Sequence, residues 1–193
     1  ALSATRIDRA EDKLLRRAEN ACAGGRPEAA SDPDALGFAS CPAPCDSIDI
    51  DNTFEGVVAC LSCVAEAEIE ALGDAVYGAP PVPLSKDGKR CQIRIARGAS
   101  GYVSNRGKAQ QTCQQNLDRA KLPEGTDCQT HDPRGKAAKA QANAEKGIAR
   151  SCTDAAAGLD ACGSDVASLQ SCVVDAARTA ADALFNAVYR PLE

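Results

Sequence analysis

Ser62-Cys63-Val64-Ala65-Glu66-Ala67-Glu68-Ile69-Glu70-Ala71-Leu72-Gly73-Asp74-Ala75-Val76-Tyr77 has a second, looser copy in the same chain. The copy opens Ser171-Cys172-Val173 and closes Asn186-Ala187-Val188-Tyr189, three residues longer. Apolar residues recur at three-to-four spacing through both: Val57, Leu61, Val64, Ile69, Leu72 and Val76, then Val166, Leu169, Val173, Ala176, Ala180, Leu184 and Val188. That period is helical, and no alternating stretch competes with it. Ahead of each copy lies a cysteine-closed segment, and ahead of that an Ala-rich charged helix ending in Asn20-Ala21-Cys22 or Arg150-Ser151-Cys152. The chain therefore reads as all-α, with an internal period of about 110 residues.

Composition says what holds such helices together. The 193 residues include eleven cysteines, no Met, no Trp and only three Phe and three Tyr. Alanine buries little area, so a chain without large side chains builds a thin core, and cross-links substitute for it. This predicts an extracytoplasmic location: periplasm, cell surface or secreted. No apolar run approaches the length of a membrane span. The net charge of -5 with both signs interspersed argues against nucleic acid as a partner. The first residue is Ala1, with no charged and apolar leader behind it, and we read the chain as a processed export product.

In chain order, residues 3–22 form a helix with Ile7, Leu14, Ala18 and Ala21 on one stripe, Ala10 and Leu15 beside it. A Pro- and Cys-rich loop with Cys41 and Cys45 follows, and then a helix over 53–77 capped by Asn52 or Thr53. Residues 1–79 are the first module. The stretch 80–88, with Ala79-Pro80-Pro81-Val82-Pro83 at its head, is the linker. Residues 89–193 are the second, complete module of three helices: 89–119, 133–152 launched by Asp132-Pro133, and 165–189 capped by Ser164 or Asp165. The expected architecture is two tandem related modules of disulfide-braced antiparallel hairpins, the first lacking its opening helix.

An antiparallel hairpin places the start of its first helix beside the end of its second. That favours Cys91 with Cys152 and Cys113 with Cys128, and leaves Cys162 with Cys172 to pin the next loop. In the first module, Cys41 and Cys45 pair with Cys60 and Cys63 in one of two ways. Spacing by itself does not settle connectivity. Cys22 is then the odd cysteine, aligned with Cys152 but with no helix to carry its partner. It is a free thiol, or it bonds another chain or a separately processed upstream segment, or it takes a special covalent or metal-binding role.

Other chemistries fit less well. Cys41, Cys45, Cys60 and Cys63 have spacing compatible with a tetrahedral metal site, but the second module lacks the matching set. A Cu(I)-storing bundle would carry thiolates along inward faces, whereas most of these cysteines sit at helix ends and in loops. Cys63 is followed by Val64 and not by His, so haem attachment is absent. His131 is the only histidine, in a polar loop, and supplies no triad base. Tyr77 and Tyr189 read as core or interface plugs. No catalytic residue and no cofactor is assigned.

Cys91-Gln92, Tyr102, Lys108, Gln110, Cys113, the Lys-rich helix ending in Cys152 and the closing Cys…Ala-Val-Tyr helix resemble a cysteine-rich helical repeat module of uncharacterised exported proteins from environmental bacteria. The first module resembles it through Leu36-Gly37-Phe38, Cys41-Pro42, Cys60-x2-Cys63 and Val76-Tyr77-Gly78. Members of that group look like tandem arrays, which implies that a helix precedes this chain's first one. The expected function is that of a non-catalytic structural or accessory subunit, docking on a larger extracytoplasmic complex or assembling with itself. The alternative is a cysteine-based metal- or cofactor-binding module.

Overall fold

The computed structural model describes residues 9–17, 20, 40–50, 53–77, 85–153, 162 and 165–189. These are helices joined by turns, with no strand among them. Residues 9–17 are helical (α1), followed by α2 (Phe54–Tyr77), α3 (Lys86–Asp118), α4 (Lys136–Ser151) and α5 (Val166–Val188). Five disulfides brace them. The fold is all-α.

Local chemistry explains the boundaries. Thr53 starts α2, its Oγ1 accepting from the Gly56 N–H at 3.0 Å, and Ser85 starts α3 by accepting from Gly88 at 3.0 Å. The helix α3 thus begins three residues before the 89 read from the sequence. Asp165 caps α5 by accepting from the Ser168 N–H at 2.9 Å. The start of α4 departs from expectation. Pro133 lies in a turn and not in the first helical position. Gly135 is the N-cap at φ 60, a conformation that glycine adopts without strain. Asp132 still caps, but at longer reach: its carboxylate accepts from Lys136, Ala137 and Ala138 at 2.9, 2.8 and 3.2 Å.

The chain forms two compact units, residues 1–67 with 187–193, and residues 68–186. Both divisions fall inside helices, whereas composition marked the boundary at 80–88; residues 78–84 lie outside the described residues. The last turns of α2 belong to the second unit because Val76 is buried in its core, with Leu72 and Tyr77 against it.

In the first unit the loop 40–50 is tied to α2 by Cys41–Cys60 and Cys45–Cys63. Ile50, Val57, Val58 and Val64 are buried there. Gly56 lets the loop come close: an added Cβ would collide with the Ile50 carbonyl.

The second unit holds the larger core. Cys91, Ile95, Ala99 and Tyr102 of α3 meet Ile148 of α4 and Leu169, Val173, Val174 and Ala177 of α5. The helices α3 and α4 are antiparallel, since Cys91 at the start of one bonds Cys152 at the end of the other. They approach closely at Gly98, where an added Cβ would stand 3.2 Å from that of Ala144. Contacts Arg106–Asp182 and Gln170–Glu145 place α5 parallel to α3 and antiparallel to α4. Each fully buried Ile or Leu contributes about 1.5–3 kcal/mol, and few residues of that size are present. The disulfides therefore carry an unusual share of the stability. Ile69 and Leu14, read as members of buried stripes, are 54% and 41% exposed. Periodicity names a helix face, but burial also needs an element opposite it.

Candidate functional site

Ten cysteines are joined as Cys41–Cys60, Cys45–Cys63, Cys91–Cys152, Cys113–Cys128 and Cys162–Cys172. The structure thus brings together the cysteines at the two ends of the α3–α4 hairpin, and resolves the two-way choice in the first unit. A set of five disulfides belongs to a chain folded outside the reducing cytoplasm. Cys41, Cys45, Cys60 and Cys63 are all oxidised here, and a disulfide sulfur is no thiolate donor. Among the described residues no group of three or more His, Cys, Asp or Glu stands where it could hold a metal ion. Cys22, the eleventh cysteine, lies outside the described residues. His131 is half-buried in the turn before α4, its backbone N–H donating to the Asp127 carbonyl at 3.0 Å. Tyr77 lies against the core and donates its hydroxyl to the Gln92 carbonyl at 3.1 Å, and burial pushes its pKa up. Tyr189 is half-buried just after α5.

A polar cluster sits between α3 and α5. Arg106 donates Nε and Nη2 to the two carboxylate oxygens of Asp182 at 2.8 and 2.9 Å, a bidentate pair. Gln110, 1% exposed, donates its amide to the same carboxylate, leaving its own Oε1 buried without a partner. The hydrogen bond from Asp182 raises the Arg106 pKa further, against the opposing effect of burial. This cluster locks the register of α3 against α5. The sequence carried a sign of it: Arg106 and Gln110 fall at helical spacing between Tyr102 and Cys113, on the buried stripe. The cluster pairs a cation, an amide and a carboxylate with one another, so its chemistry is that of a clamp.

The surface feature with interaction chemistry is an open groove of about 240 Å³ between α3 and α4. Gly98, Gly101, Ala140, Ala144 and Gly147 form its floor, with Asn105 and Asn143 beside them. Gly101 and Gly147 meet nothing within 4 Å of a virtual Cβ, so the floor stays low and unobstructed. Arg94 and Arg97 stand on the α3 side. Lys146 and Arg150 stand on the α4 side, along a continuation of about 290 Å³. All four cations are exposed, and none forms an ion pair with a described residue. In the sequence these charges are interspersed with others; the hairpin gathers them along one cleft. Gly98 and Gly101, two of the glycines that lower the intrinsic helicity of α3, line this floor.

No described helix is long and apolar enough to cross a membrane. No protein-family model, curated protein or solved structure matches this chain.

Proposed function

We propose that this protein is a non-catalytic structural or accessory subunit of an extracytoplasmic assembly, and that it docks through the α3–α4 face of its second unit. The observation that supports this is the groove itself: open, floored by small residues and rimmed by Arg94, Arg97, Lys146 and Arg150. A shallow basic cleft between two helices, held rigid by Cys91–Cys152, accepts an acidic helix edge better than it encloses a small molecule. The tandem kinship of modules 1–79 and 89–193, and their likeness to exported cysteine-rich repeat modules, are part of the same reading. Five disulfides use ten cysteines, and on this reading Cys22 is either a free thiol or the attachment point for another chain or an upstream segment.

Cross-linking of native material from the periplasmic or secreted fraction, followed by non-reducing separation, tests this. The reading expects the chain in a complex whose cross-links map to α3 and α4. A chain recovered only as a free monomer, or one whose folding depends on a bound metal, overturns it.

A further inference from the structure

We propose that the occupant of the α3–α4 groove is the acidic edge of α2 on a second copy of this chain, giving a head-to-tail contact. This rests on the docking role proposed above and names the partner. Charge is distributed unevenly along the chain. The helix α2 contains Glu55, Glu66, Glu68, Glu70 and Asp74 and not a single Lys or Arg. Glu66, Glu70 and Asp74 recur every four residues, so they form one ridge along the helix. All three are exposed, and none pairs with a cation among the described residues. Ile69 stands beside them, 54% exposed, as an apolar knob.

The groove offers the complement. Its four cations flank a floor without bulky side chains, where the knob of Ile69 and the slim edge at Gly73 find room. At a rise of 1.5 Å per residue, Glu66 to Asp74 spans about 12 Å, and the groove from Arg94 to Asn105 spans about 16 Å, with its four cations gathered at the Arg94 end. The acidic ridge and the basic rim are thus two unpartnered surfaces of one chain, opposite in charge, and the groove is long enough to seat the ridge. Because they are different surfaces, the contact is heterologous: each copy that donates its ridge leaves its own groove vacant for the next. Few residues are involved, so each contact is weak and salt-sensitive.

The test uses the full, disulfide-intact chain and two charge-neutralised variants, one of the groove (R94Q/R97Q/K146Q/R150Q) and one of the ridge (E66Q/E70Q/D74N). In sedimentation velocity at about 20 mM salt the wild type should form species larger than a monomer as concentration rises. About 500 mM salt should weaken this association at least tenfold. Each variant by itself should remain monomeric. Mixed together they should form a one-to-one dimer and nothing larger, since only one productive ridge and one productive groove remain. That rescue also shows that both variants are folded. A wild type that stays monomeric throughout, variants that associate like the wild type, or a mixture that stays monomeric would each overturn the proposal. So would a monomeric wild type whose groove retains a heparin-like polyanion in moderate salt. A monomeric chain whose native cross-links join the groove to a different protein removes self-docking and leaves the subunit reading in place.

Discussion

Two residues show how backbone geometry and charge set local stability. Ala120 follows α3 at φ 52. Its N–H bonds the Leu117 carbonyl, and that of Lys121 bonds the Asn116 carbonyl, both at 2.8 Å. This is a Schellman ending whose left-handed position is usually glycine. Ala120→Gly should raise stability by about 0.5–1 kcal/mol, the relief of left-handed strain less the added chain entropy, read as a higher urea midpoint at unchanged slope. At the other end of the unit, the Ser168 backbone N–H and hydroxyl hold the Asp165 carboxyl below the usual carboxylate range. A depressed folded-state pKa contributes stability above the unfolded value of about 3.9 and loses it as pH falls through the folded value. The melting temperature should therefore fall on acidification below about pH 4. In Asp165→Asn, which keeps a capping side chain without the titration, that acid limb should be shallower.

At the scale of elements, the α3–α4 hairpin and its junction with α5 depend on cross-links and one ion pair. Cys91–Cys152 closes 61 residues, the longest separation among the disulfides, whereas Cys162–Cys172 closes ten. Loop-closure entropy makes the first worth about 4 kcal/mol and the second about 3. Replacing Cys91 and Cys152 together by Ser should therefore lower stability more than replacing Cys162 and Cys172, in paired denaturant titrations. Asp182→Ala strips Arg106 and Gln110 of their shared acceptor. Arg106 and Asp182 keep 14% and 23% side-chain exposure, so water compensates in part, and the expected loss is about 2 kcal/mol. Asp182→Asn should recover some of it, since a neutral oxygen still accepts from the guanidinium.

At the scale of the molecule, much of the helical layout was legible. The predicted helices 53–77, 89–119, 133–152 and 165–189 agree with α2 to α5 within a few residues, because heptad-like spacing and capping residues act locally. The exception at Asp132-Pro133 is itself instructive, since a carboxylate can cap from beyond a turn. The burial of Arg106 and Gln110 was less legible. They occupied the right stripe, but polar side chains on a core face acquire meaning only with Asp182 opposite. The groove was illegible: Arg94, Arg97, Lys146 and Arg150 belong to two helices separated by a long connection. One whole-molecule expectation follows. Full reduction of the native chain should abolish cooperative unfolding near room temperature, since the core is poor in large side chains. A reduced chain that keeps its near-ultraviolet spectrum and a sharp transition would contradict this.

By itself the sequence determined that this protein is helical, where its helices run, and that an antiparallel hairpin would bring Cys91 to Cys152 and Cys113 to Cys128. Those properties follow from periodicity and from the geometry of an antiparallel hairpin. Only the tertiary structure decided which of Cys60 and Cys63 each loop cysteine meets, which side chains of α3 face α5, and which cations share a cleft. These depend on the rotation of one helix about its axis relative to another. That angle is chosen by close packing at contacts such as Gly98 against Ala144, and no single stretch of chain contains it.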